Sequence, residues 1–192
     1  MAAAPDFDIG PTGPVSKAFM ERNIRTFNQA TDFVRQLAYY RNADKGNLLT
    51  VFTDNCGTCS TKHALLKQLA DENHCEGLQL MVGLFRMNGT NTPEVSATLA
   101  VNQLDYIPEA HCYLMYKGQI LDYTKQGADP SNFIEDLIEE KEIAVTQING
   151  YKVDYHRSYL ITWLSQNGPI NLSLNDIWAI REQCIQDLAR TV

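Results

Sequence analysis

The chain has 192 residues, 44% of them hydrophobic and 20% charged, with 16 Lys and Arg against 23 Asp and Glu for a formal charge of -7. This length suits one domain with a sizeable core, and an acidic balance without a basic patch argues against nucleic acid as a partner. No run approaches the roughly 18 consecutive apolar residues of a membrane span, so no membrane partner is expected.

The N-terminal MAAAPDFDIGPTGP lacks the basic and apolar segments of a secretory signal, and a cytoplasmic location is the default expectation. Cys56, Cys59, Cys75, Cys112 and Cys184 are odd in number and lack framework spacing, which fits a reducing compartment.

In chain order, residues 1–15 are rich in Pro and Gly and read as a flexible N-terminal arm, ahead of one domain over 16–192. Thr26 and Gln29 have the form of a capping box, and Phe27, Ala30, Phe33, Val34 and Leu37 follow at helical spacing to about Tyr39. The turn RNADKGN leads into the apolar run Leu48 to Phe52, read as a short strand before a polar turn. The next helix starts at or just before Cys59 and carries Ala64, Leu65, Leu66, Leu69 and Ala70 as a broad apolar stripe, ending before Gly77.

Leu78 to about Met87 alternates as a strand, MNGTNTPEV is a loop, and Pro93 opens a short helix through Val101. Ile107 to Thr124 reads as a hairpin turning at Lys117-Gly118, with His111 near its start and Asp122 near its end. A helix from Asp129-Pro130-Ser131 to about Glu140 and a strand over IAVTQI are expected next. Two helices, about Asp154 to Gln166 and Leu174 to Ala189, form a C-terminal extension over about 151–192, with Pro169 between them and Ser173 and Asp176 as a capping box.

The chemistry concentrates at Cys59. A thiol at a helix N-terminus meets unpaired backbone N–H groups and the positive end of the macrodipole, both of which favour thiolate. A cysteine nucleophile also needs a base, and the base needs a partner to orient it. His111 and Asp122 on the two halves of one hairpin can supply both.

Gly57-Thr58-Cys59, the helix with Ala64-Leu65-Leu66 and Leu69, the strand Leu80-Met81-Val82-Gly83, His111-Cys112-Tyr113-Leu114 and Leu121-Asp122-Tyr123-Thr124 together resemble the transglutaminase-like superfamily over about residues 48–125. The resemblance implies an α+β fold with papain-like site logic, in which a Cys-bearing central helix packs on an antiparallel sheet. It also implies that Cys59 attacks an amide or ester carbonyl to give a thioester, that His111 moves the proton and that Asp122 orients His111. The backbone N–H of Cys59 would then supply part of an oxyanion hole.

Gly57, Thr58, His63 and Tyr113 are the expected residues around substrate or behind the triad; Gly57 is expected to let the chain bend, and no cofactor or metal is implied. The partner would be a peptide, protein or small amide or ester substrate. Ser60 follows Cys59 where crosslinking members often carry an aromatic residue, and Tyr123 follows Asp122 where Pro is common. The chain also has no room for their calcium-binding and accessory β-domains, so the resemblance points away from a dedicated protein crosslinker.

Two other classes stand beside this one. Cys56-Gly57-Thr58-Cys59 is a C-x-x-C at a helix start, the arrangement of a thioredoxin-like dithiol redox protein. A non-catalytic binding module could use the same fold. Cys56, Cys59 and His63 are also close enough in sequence to share a metal, with His74 or Cys75 to complete a site.

Overall fold

The computed structural model describes residues 4–167 and 171–190. The chain opens with helices α1 (Pro14–Met20) and α2 (Phe27–Gln36), then a two-residue strand β1 (Ala38–Tyr39), a short helix α3 (Thr50–Thr53), a second two-residue strand β2 (Cys56–Gly57) and the long helix α4 (Cys59–Glu72). Strand β3 (Leu78–Asn88), a 3-10 turn at Pro93–Val95, helix α5 (Ser96–Val101) and strands β4 (Tyr106–Tyr116) and β5 (Gln119–Leu121) follow. Helix α6 (Ser131–Ile134), strand β6 (Leu137–Glu142), a second 3-10 turn at Val145–Ile148 and helices α7 (Gly150–Gln166) and α8 (Leu174–Arg190) complete it.

The fold class is α+β. Four antiparallel strands run in the order β5-β4-β3-β6, and β1 pairs in parallel with β2 in a separate ribbon. Alternation along β4 divides the core, as a period of two requires. Ala110, Cys112 and Leu114 join Leu80, Val82 and Leu84 of β3 under Leu65, Leu66, Leu69 and Ala70 of α4. Ile107 and Tyr113 face the other way with Met81, Phe85 and Met87, against Phe133, Leu160, Trp163 and Ile177. Burying each large apolar side chain of these layers contributes about 1.5–3 kcal/mol, so α4 is held by packing rather than by propensity.

β5 pairs with β4 only from Leu114 to Tyr116. The rest of that β4 edge, including His111 and Cys112, is left for the start of α4 and the chain after β5. Gly83 lies opposite His111 on β3, where a Cβ would come within 2.7 Å of Leu137 Cδ1 and 3.0 Å of Tyr113 Cε1.

Several expected elements differ. Leu48 to Phe52 leads into α3 rather than a strand, and the strand before the cysteines is Cys56–Gly57 itself. The helix expected to run to about Glu140 stops at Ile134, because the next residues pair with β3 from Met81 to Phe85 as an edge strand. Val145–Ile148 is a 3-10 turn, not a strand. α7 begins at Gly150, four residues before the expected start at Asp154.

The expected flexible arm is instead docked over its described residues. Phe7 stacks on Phe27 at 4.9 Å, Ile9 is buried, and the Gly10 N–H donates to Asn73 Oδ1 at 2.8 Å. Glu72 at the end of α4 accepts from the N–H groups of Val15 and Ser16, which neutralises the free donors at the start of α1. Residues 1–3 and Pro169 lie outside the described residues. Among the described residues no helix is long and apolar enough to cross a membrane.

Candidate active site

Cys59 is the first residue of α4, so its N–H belongs to the set that the helix itself leaves unused. The entry to the helix is fixed by side chains. Thr61 Oγ1 accepts from the Thr58 N–H at 3.0 Å and donates to Asn42 Oδ1 at 2.7 Å, while Asn42 Nδ2 donates to the Cys56 carbonyl at 2.9 Å. Gly57 is required here for space: a Cβ would lie 2.9 Å from Lys62 Cγ and 3.0 Å from Thr61 Oγ1. The expectation that Gly57 bends the chain is corrected, since the left-handed conformation in this turn belongs to Asn55, at φ 52°.

His111 Nε2 donates to Asp122 Oδ2 at 2.9 Å, which leaves Nδ1 outside that bond, and Cys59 lines the same recess as the ring. Asp122 follows the last residue of β5 and also accepts the Thr124 N–H at 2.9 Å. The His111 ring is packed by Phe133 at 4.9 Å, Tyr113 at 6.1 Å and Phe85 at 6.2 Å. Cys59, His111 and Asp122 are therefore brought together by α4, β4 and the end of the hairpin.

Charge in this cluster is strongly redistributed. A hydrogen bond from Cys112 lowers the Cys59 pKa; burial opposes this, and the positive charges of Lys152 and His111 carry it well below the usual thiol range. Burial works against a charged His111, but Asp122 and Cys59 override it and push the pKa up to about 10. Burial likewise opposes ionisation of Asp122, whereas His111 holds its carboxyl well below the usual range. These shifts all act in the direction of a thiolate beside an imidazolium that is anchored by a carboxylate.

His63 is fully buried behind this group. Its Nε2 accepts the Tyr123 N–H at 2.7 Å, so Nδ1 carries the proton and donates to the Cys59 carbonyl at 2.8 Å. Burial keeps the ring neutral. With both nitrogens occupied, His63 ties the first turn of α4 to the segment that carries Asp122. Tyr113 does not face the opening; its hydroxyl donates to Glu140 and its ring supports His111 from below. Thr58 is half-buried and lines a recess beside Cys59.

Cys56 turns away from this group. Its thiol approaches the Arg41 carbonyl at 4.0 Å, and burial, then Asp54, raises its pKa. The thiol that acts most strongly on the Cys59 pKa is that of Cys112, which the sequence placed among buried hydrophobes.

Sequence reasoning also missed Lys152. Its Nζ donates to Ser60 Oγ at 2.7 Å and reaches Cys59 Sγ at 3.9 Å. The signal was present but unusual: Lys152, His156, Leu160 and Trp163 recur at helical spacing and form the buried face of α7, with a cation where an apolar residue is the rule. Glu109 and Arg181 were also missed. Arg181 Nε and Nη2 donate to the two carboxylate oxygens of Glu109 at 2.7 and 2.6 Å, a bidentate pair between β4 and α8.

Recesses open on two sides of Cys59. The first, of about 200 Å³, is lined by Phe85, Met87, Phe133, Leu188 and His111. The second, of about 290 Å³, lies toward Lys152 and includes Arg41, Lys45 and Arg181. A thiolate here can attack an electrophilic carbon, and an imidazolium beside it can return a proton to a leaving group. Among the described residues no group of three or more His, Cys, Asp or Glu side chains is arranged to hold a metal ion. Compared with family models, curated proteins and solved structures, the chain matches none.

Proposed function

We propose that the protein is a cysteine-dependent acyl-transfer or hydrolytic enzyme with a transglutaminase-like core. The observation that carries this reading is the Cys59 thiol at the start of α4, paired with a His111 that Asp122 holds at 2.9 Å. In this mechanism Cys59 Sγ attacks an amide or ester carbonyl, and the tetrahedral oxyanion is met by the first-turn N–H of α4. Collapse breaks the bond to the leaving group, which takes a proton from His111. Water or an amine then attacks the thioester carbonyl and gives its proton to His111, and the C–S bond breaks to release the acid or amide and return Cys59 as thiolate.

A dithiol role for Cys56 and Cys59 is the weaker alternative, because the Cys56 thiol faces the Arg41 carbonyl. A non-catalytic module has no particular observation in its favour: a buried thiolate-imidazolium pair is an expensive feature for a mere scaffold. The test is intact-mass analysis with iodoacetamide at pH 6 and with activated acyl esters. Alkylation of Cys59 at least about tenfold faster than that of Cys56, Cys75, Cys112 or Cys184, with a thioester adduct lost in Cys59→Ala, is the expected result. Equal labelling of all five thiols would sink the proposal, and loss of turnover in Cys56→Ser would favour the dithiol alternative.

A further inference from the structure

Cys59 stands between two recesses of opposite character. On the His111 side the wall is mainly apolar, with Phe85, Met87, Phe133 and Leu188, and its charged members Glu94, Asp122 and Asp129 outnumber Lys125. On the Lys152 side four cations, Arg41, Lys45, Lys152 and Arg181, face two carboxylates, Glu109 and Glu182. A surplus of positive charge in this one recess runs against the net charge of -7 over the whole chain.

Both carboxylates are already engaged. Arg181 holds Glu109 through two hydrogen bonds and Glu182 through a third at 2.8 Å, and Arg41 also pairs with Glu182 at 2.5 Å. Lys45 and Lys152 have no carboxylate within ion-pair distance among the described residues. Lys152 is only 8% exposed, and its bonds are to Ser60 Oγ and Cys59 Sγ. Burial opposes the Lys152 ammonium, the charges of Cys112, Cys59 and Glu109 override it, and two of its three N–H donors go to Ser60 Oγ and Cys59 Sγ. Desolvation, then repulsion from Arg41, Lys152 and Arg181, lowers the pKa of Lys45, and Glu182 opposes this only in part.

We infer that the molecule presented to Cys59 carries a carboxylate that seats between Lys45 and Lys152, and an apolar group that enters the recess of Phe85, Met87 and Phe133. The inference rests on the reading of Cys59 as a nucleophile and names the class of substrate that the nucleophile meets. A chain-terminal carboxylate and an acidic side chain offer the same chemistry to this recess.

Two pairs of thiol-reactive probes separate these cases on the full chain. Bromoacetyl-glycine is compared with bromoacetyl-glycinamide, and bromoacetyl-aspartic acid α-amide with bromoacetyl-asparagine amide, by following the Cys59 adduct by intact mass at pH 6.5 and low salt. At least one acid is expected to react about tenfold faster than its amide, and the preference to fall to about twofold in 0.5 M NaCl as the cations are screened. The pair that discriminates identifies the source of the carboxylate. Lys45→Gln is expected to reduce the preference about threefold while the rate with the neutral probe stays within about twofold of the parent protein.

Rapid labelling by both amides with no advantage for either acid would overturn the inference and leave Cys59 as a nucleophile. A preference undiminished in Lys45→Gln would overturn the seat between Lys45 and Lys152. Labelling of Cys59 by all four probes no faster than that of the other thiols would overturn the nucleophile reading itself.

Discussion

The ammonium of Lys152 lies 3.9 Å from Cys59 Sγ while donating to the neighbouring Ser60 hydroxyl at 2.7 Å. Lys152 approaches from α7, and His111 approaches from β4. Cys59 is thus a thiol flanked by two positive charges from elements far apart in sequence. The helix terminus that marks Cys59 as a candidate is a small part of this field, since a macrodipole contributes typically about 0.3–1 kcal/mol.

Lys152→Met keeps much of the side-chain volume and removes the charge. The Cys59 pKa is expected to rise, and the rate of iodoacetamide alkylation at pH 5.5 to fall about tenfold, with the difference narrowing as pH rises and both proteins become thiolate. The measurement is the pH-rate profile, because general loss of structure would lower the rate at every pH. An unchanged profile would show that Lys152 has no electrostatic hold on Cys59.

The pH dependence of stability has two limbs. The folded His111 pKa of about 10 lies above the usual value of 6.5, so its stabilising contribution is complete below about pH 6.5 and is lost as pH rises toward 10. The folded Cys59 pKa is lowered, so its contribution is complete above the usual thiol pKa and is lost as pH falls through the folded value. His111→Gln should therefore lower the melting temperature most near neutral pH, and the gap from the parent protein should close toward pH 10. A gap that stays constant from pH 7 to pH 10 would contradict the ion pair.

His63→Ala tests how the segment carrying Asp122 is held. The substitution leaves the Tyr123 N–H and the Cys59 carbonyl without their buried partner and opens a cavity, at an expected cost of about 3 kcal/mol in urea unfolding. The His111 to Asp122 bond should loosen with it, so alkylation of Cys59 at acidic pH should slow even under conditions where the variant is fully folded. A stability loss with an unchanged alkylation profile would confine His63 to packing.

Local patterns in the sequence carry much of this group. The start of α4 is legible from the turn before Cys59 and the apolar stripe after it, and the hairpin is legible from alternation around Lys117-Gly118. Register within that hairpin is what brings His111 and Asp122 together. Residues 135–142, EDLIEEKE, have strong intrinsic helix preference, but pairing with Met81 to Phe85 makes most of them an edge strand. That outcome depends on a free edge of β3, which no local pattern encodes. Lys152 and the Glu109 to Arg181 pair are hidden for a related reason: charged residues normally mark solvent, and only the packing of α7 and α8 over the sheet makes them interior.

The Glu109 to Arg181 pair gives the last prediction. Both side chains are largely buried, and their two hydrogen bonds join β4 to α8, which contributes Ile185 to both recesses beside Cys59. Arg181→Met leaves the buried Glu109 carboxylate without its ion-pair partner and is expected to cost about 3–5 kcal/mol, while Glu109→Gln leaves Arg181 with Glu182 as its one ion-pair partner and is also expected to destabilise. The double variant should cost less than either single one, because removing both charges avoids the unpaired state. Urea unfolding of the four proteins measures this coupling, and the rate of Cys59 alkylation measures its reach. If the pair only anchors α8, the double variant should recover both stability and rate, whereas recovery of stability alone would mean that the charges themselves shape the field around the thiol.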